Sequence, residues 1–160
     1  MRVQTPSKRK AVSPVIATVI LVAVAITIAV AVANWMGGIS GQYTQFEKCE
    51  IQSAVCTLDS VNNWNITVKI KNSGTKTATL TNVFVNEFEV STYGASAPTA
   101  AESIIKTDLP TAGLSIESGA IGTIKVWIGV NYGSLSSGTT INIKLHSAGG
   151  MDYIKLVSLP

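Results

Sequence analysis

Hydrophobic positions follow two different rules along this chain. From Val15 to Ala33 they run without interruption, and nothing more polar than Thr18 and Thr27 intervenes. From about Ile51 onward they alternate with polar residues at period 2, the signature of half-buried β-strands. Nineteen residues at a 1.5 Å rise reach roughly 29 Å, close to the thickness of a bilayer's hydrocarbon core. No side of that segment is polar, so as a helix it requires lipid or other apolar helices around it. Ser13 is placed to N-cap it and Pro14 suits the first turn. Gly37-Gly38 predicts a break or bend after Met36. Trp35, Tyr43 and Phe46 fall where an interfacial aromatic belt is expected.

In the second part, Trp64, Ile66, Val68 and Ile70 point one way, and Asn65, Thr67, Lys69 and Lys71 the other. Ile124, Val126, Ile128 and Val130 repeat the pattern, as do Ile141, Ile143 and Leu145 against Asn142, Lys144 and His146. Further strands are predicted over Ile51–Leu58, Thr77–Val85, Phe88–Thr92, Ser103–Leu109 and Tyr153–Ser158. Turn chemistry separates them at Asn72-Ser73-Gly74, Tyr93-Gly94, Ser136-Ser137-Gly138 and Gly149-Gly150, and uncharged Ser91–Ala101 reads as a long loop. The expected fold class is α+β: a long N-terminal apolar helix, then an all-β immunoglobulin-like sandwich head. The expected division is residues 1–11, a helix and linker over 12–46, and a β-sandwich over 47–160.

Charge sets the orientation. Arg2, Lys8, Arg9 and Lys10 occupy a start that holds no acid, and the next charged residue is Glu47. The positive-inside rule keeps this end cytoplasmic and exports the rest. From Ala11 onward 8 Lys face 9 Asp/Glu, which speaks against a nucleic-acid-binding body. One His and two Cys exclude a multi-ligand zinc or iron–sulfur site built from this chain alone, and no cofactor is expected. Without a phosphate loop, HExxH or nucleophile elbow, an enzyme is not expected.

The apolar segment alone admits a retained membrane anchor or a secretory signal cut after Ala31-Val32-Ala33, though it exceeds the usual length of a removed signal. The residues before it add a third reading. Lys10-Ala11 followed by Val12-Ser13-Pro14-Val15-Ile16-Ala17 and a Val/Ile/Ala tract resembles the class III signal of archaeal type IV pilins. The resemblance spans residues 8–37. It implies cleavage between Ala11 and Val12, within a site formed by Lys10, Ala11 and Val12. It implies a retained helix whose Val15, Ile16, Ile20, Leu21, Val24, Ile28 and Val32 pack against other copies in a helical homo-oligomer. Prepilin peptidase and a pilus assembly ATPase with its membrane platform are the implied partners. Ile16 stands where bacterial type IV pilins usually carry Glu, which favours the archaeal branch. The function implied is a structural subunit of an extracellular filament for adhesion or surface attachment, inserted in the membrane before assembly. The alternative is a membrane-anchored extracellular binding domain of a solute-capture or envelope complex.

Other residues carry narrower expectations. Cys49 and Cys56, seven apart in an exported segment, suggest a disulfide across a tight turn, with two buried free thiols as the alternative. Asn65-Ile66-Thr67 is an N-glycosylation sequon with Asn65 turned outward, or a plain surface Asn. His146 is expected to be a solvated surface residue. Glu87 and Glu89 are expected on one strand face, and Trp127, opposite the Ile124/Val126/Ile128 face, as an exposed aromatic or one covered by a loop.

Overall fold

The computed structural model describes residues 13–160, so the cleavage residues Lys10, Ala11 and Val12 lie outside the described residues. The chain divides after Thr44 into a helical unit and a β unit, Gln45–Pro160.

Helix α1 covers Pro14–Tyr43, 30 residues, with Pro14 in its first turn. Ser13 occupies the N-cap position but caps through its backbone only: its carbonyl accepts from Ala17 N at 3.1 Å and its hydroxyl makes no cap bond. Gly37-Gly38 do not break the helix, so that half of the break-or-bend expectation fails, and Gly41 is helical as well. Each helical glycine costs about 1 kcal/mol relative to Ala.

The β unit holds nine strands: β1 (Cys49–Leu58), β2 (Trp64–Asn72), β3 (Ala78–Val85), β4 (Phe88–Glu89), β5 (Ile105–Thr107), β6 (Leu114–Ile116), β7 (Ile121–Ile128), β8 (Thr140–Ser147) and β9 (Asp152–Ser158). They form one sheet in the order β1-β2-β7-β5 and a second in the order β4-β3-β8-β9, with β6 pairing β3 beside β4. All strand pairs are antiparallel. Lettered in chain order, these are the A-B-E-D and C′-C-F-G sheets of an immunoglobulin-like sandwich.

The predicted alternation puts the core where the two sheets face each other. Ile66, Val68 and Ile70 from β2, Ile124, Val126 and Ile128 from β7, and Ile141, Ile143 and Leu145 from β8 are all fully buried. At about 25 cal/mol per Å² of apolar surface, each such side chain contributes about 1.5–3 kcal/mol of transfer free energy. Three boundaries differ from expectation. β5 keeps only Ile105–Thr107 of the predicted Ser103–Leu109, and β4 only Phe88–Glu89 of Phe88–Thr92. Val130 falls past the end of β7, and β6 was not expected at all. Each of the three short strands pairs through only two or three residues, too few to leave a periodic signal.

Two buried asparagines fix the loops. Asn72 Nδ2 donates to Lys76 O (2.7 Å) and Ile116 O (2.9 Å), and its Oδ1 accepts from Gly74 N (2.9 Å). Phe46 O and Lys48 O accept backbone bonds from the same turn, from Thr75 N and Gly74 N, each at 3.0 Å. A Cβ at Gly74 would meet Phe46 O at 2.5 Å, so this close crossing requires glycine. At the opposite end, Asn63 Nδ2 donates to Ala100 O (3.0 Å) and its Oδ1 accepts from Glu102 N (3.3 Å), pinning the 95–104 loop.

Candidate assembly surface

Thr18 and Thr27 are the polar residues within the long apolar run, and neither leaves a free hydroxyl hydrogen. Thr18 Oγ1 donates to Val15 O (2.9 Å) and Thr27 Oγ1 to Ala23 O (2.8 Å), each one turn back. The helix therefore presents a surface without polar demands over its first five turns. None of its residues is buried in a single copy. The seven residues expected to pack in an assembly are all exposed, from 46% at Val32 to 69% at Val15 and Leu21. Among the described residues, none buries these seven side chains.

Small residues recur on α1 at every fourth position: Ala25, Ala29, Ala33, Gly37 and Gly41. On a helix this spacing makes one ridge, slightly inclined to the axis, where another backbone can come close. The space beside Gly37, Gly38 and Gly41 is open. The Gly37-x-x-x-Gly41 pair extends the small-xxx-small spacing, which permits close helix approach.

The cysteine expectation is corrected. Cys49 and Cys56 are free and stand on one strand, β1. Seven residues at about 3.3 Å per residue separate them by roughly 23 Å, several times the span of a disulfide. Both face the core side of the sheet, and burial pushes the Cys56 thiol up to about 11 and raises that of Cys49. Burial likewise raises the Tyr153 phenol, which donates to Glu47 Oε1 at 3.2 Å.

Two further placements differ from expectation. Glu87 and Glu89 do not share a strand face. Asn86 and Glu87 both take positive φ (49° and 69°) as the two-residue turn of the β3–β4 hairpin, and only Glu89 is in a strand. Glu87 pairs with Lys144, whereas Glu89 Oε1 accepts from Asn82 Nδ2 (2.7 Å) and Tyr93 Oη (2.9 Å). Trp127 is on the outer face but buried, at 5% exposure, in register between Asn65 of β2 and Lys106 of β5. Asn65 also points outward, yet it is half-buried and its Oδ1 is shielded from solvent. His146 sits half-exposed on the outer face of β8 and bonds Asp152 across the β8–β9 hairpin. Among the described residues no group of His, Cys, Asp and Glu is placed to hold a metal ion.

Sequence reasoning missed Asn63 and Asn72. Both sit at turn positions where Asn is ordinary, and their burial depends on strands and loops 37 to 44 residues away.

No protein-family model matches the chain, and no curated protein sequence matches it. Among solved structures it is similar to the archaellum periplasmic stator protein FlaG from Sulfolobus acidocaldarius, at 16% identity and a TM-score of 0.42, over 70% of this chain and 100% of that one. It is similar to the stator complex of FlaF and FlaG from the same organism, at 13% identity and a TM-score of 0.44, over 70% of this chain and 90% of that one. It is also similar to the Iho670 flagellar-like filament, at 13% identity and a TM-score of 0.40, over 92% and 98%. At these scores the chain's own residues carry the case for function.

Proposed function

We propose that this chain is a structural, non-catalytic subunit of an extracellular type IV pilus-like filament. The apolar helices of many copies form the filament core and the β-sandwich heads face outward, serving adhesion or surface attachment. In this reading the chain is first a membrane-inserted precursor with a cytoplasmic N-terminus. Prepilin peptidase removes residues 1–11, and an assembly ATPase with its membrane platform moves the helix out of the lipid.

The observation that supports this most is the helix itself: 30 residues, no charge, and no residue buried within its own chain. At 1.5 Å per residue it is about 45 Å long, well beyond the roughly 30 Å of a bilayer's hydrocarbon core. Outside lipid, a surface of this kind is stable only against equivalent apolar surface, which other copies supply. The Ala25-to-Gly41 ridge suits that contact, because association among apolar helices relies on close packing rather than on further expulsion of water. Compared with lipid the net gain is small, which is why the proposal includes an external motor.

The experiment is the N-terminal sequence and intact mass of the protein sheared from the cell surface, with electron microscopy of the same fraction. Filaments whose subunit starts at Val12 are the expected result. A start at Asn34 would refute the filament and leave a released head. An uncleaved chain that only detergent extracts would point instead to the membrane-anchored binding domain.

A further inference from the structure

The head is nearly neutral as a whole, with 8 Lys against 9 Asp/Glu from Gln45 onward, but its two outer faces are not. Strand register sorts the charges. Residues directly opposite in an antiparallel pair share one side of the sheet. On β2 and β7, Lys69, Lys71 and Lys125 stand on the side away from the core, opposite Thr123, Ile121 and Thr67. Lys106 of β5 and Lys48 before β1 join that side and pair with Glu102 and Glu50 at 2.7 and 2.9 Å. Asp108, whose Oδ1 accepts from Lys125 N at 2.7 Å, is the third carboxylate there. This face therefore carries five lysines against three carboxylates. Lys69 and Lys125 make no ion pair among the described residues and are exposed.

The outer face of the other sheet has the opposite balance. Glu87, Glu89 and Asp152 surround one lysine, Lys144, together with His146. Each face also exposes two apolar side chains that none of the described residues covers. These are Val55 and Ile121 (56% and 57% exposed) on the lysine-rich side, and Ile154 and Leu156 (56% and 66%) on the acidic side.

We propose that these faces bind each other between copies: the outer face of the β1-β2-β7-β5 sheet of one head docks on the outer face of the β4-β3-β8-β9 sheet of the next. The setting of this contact rests on the filament reading. A second copy is the occupant because each face finds on the same chain a surface of opposite charge with its own pair of exposed apolar residues. Because the two surfaces differ and lie on opposite sides of the sandwich, the contact is heterologous, and repeating it gives an open array rather than a closed dimer. Exposed ion pairs contribute little affinity singly; their part is to set register and polarity and to disfavour the reversed packing, which would bring like charges together.

The test uses the full-length chain in its membranes, treated with a carbodiimide that joins a lysine to a carboxylate without a spacer. The sheets pack about 10 Å apart and these side chains point away from each other, so a Lys69–Glu87 or Lys125–Asp152 bond forms only between copies. Mass spectrometry of the native chain is expected to find such bonds. Their yield should fall several-fold when salt rises from about 0.05 to about 0.5 M, which shortens the screening length from above 10 Å to a few Å. One variant, Lys69→Glu with Lys125→Glu, makes both faces acidic. A second, Glu87→Lys with Asp152→Lys, makes both basic. Each alone should lose roughly tenfold or more of the cross-linked dimer, because each removes one partner of these amides and sets like charges face to face. Co-expressed, the two should restore it, because every contact is again between opposite charges. The proposal is overturned if the native chain yields no such bond, if salt leaves the yield unchanged, or if either variant alone links as well as the native chain. It is equally overturned if co-expression restores nothing while both heads melt like the native one. A native chain that cross-links in this way but forms no filament under the microscope would overturn the filament reading and leave the face pairing standing.

Discussion

The helix and the head both draw on Val and Ile and dispose of them in opposite ways. Val and Ile supply apolar side chains to both α1 and the strands, yet no residue of α1 is buried, whereas Ile66, Val68, Ile124, Val126 and Ile143 are wholly inside. The difference is periodicity. A strand that alternates hides its apolar side against a facing sheet and satisfies its backbone across the ladder, so the head completes its core within one chain. A helix that is apolar all round satisfies its backbone internally but has no polar side to turn toward water. One region is finished by folding, and the other leaves its apolar side chains exposed.

That contrast can be broken first in the helix. Leu21→Lys places a charge at the middle of the apolar run, where insertion scales assign a cost of about 2.5–3.5 kcal/mol. The expected outcome is complete loss of surface filaments while the head's thermal midpoint stays unchanged. A filament-forming Leu21→Lys chain would mean that the helices do not form the core.

The mirror experiment is in the head. Ile66→Ala empties part of a fully buried site and should destabilise the β unit by about 2–5 kcal/mol in urea unfolding followed by the fluorescence of buried Trp64 and Trp127. Membrane insertion of the chain should be unaffected. A smaller effect is expected at Asn72→Ala, which removes the donor to the carbonyls of Lys76 and Ile116 and leaves Gly74 N with Lys48 O as its acceptor. That loss should be about 1–3 kcal/mol, and proteolysis near the β2–β3 turn should accelerate.

The smallest effect concerns the cysteines. With Cys49 and Cys56 far apart on one strand, reductant should shift the head's melting temperature by less than about 1 °C, against the several degrees expected when a bond worth about 2–4 kcal/mol is cut. Cys56 should also resist alkylation at pH 8, because burial holds its pKa at about 11 against a normal value of 9.0. The neutral thiol is the form the fold favours, so its contribution is intact below about pH 9 and is lost as pH rises toward 11. Rapid labelling at pH 8 would show that the β1 edge opens.

Much of this was legible in the residues because it depended on local pattern. Trp64 to Lys71 is a strand with its odd positions outward, as alternation requires, and Pro14 opens the helix where the absence of its N–H is harmless. Gly37-Gly38 does not break the helix, because glycine is also tolerated within one and local sequence does not distinguish the two uses. The Asn86-Glu87 turn was missed because the residue that takes the second positive φ is Glu rather than the usual glycine. The cysteine pairing failed for a different reason. Seven residues form a closable loop when the chain turns but a rigid spacer of about 23 Å when it does not, and β1 runs straight through because β2 pairs with nearly its whole length.

By itself, the sequence determined an uncharged helix long enough to cross a bilayer and an alternating β region behind it, because both follow from the spacing of apolar residues along the chain. Only the tertiary structure decided the strand order, the burial of Asn63, Asn72 and Trp127, and the gathering of lysines on one outer face and carboxylates on the other. Those features depend on which segments, tens of residues apart, are laid side by side, and that is set by the packing of two whole sheets rather than by any neighbour in sequence.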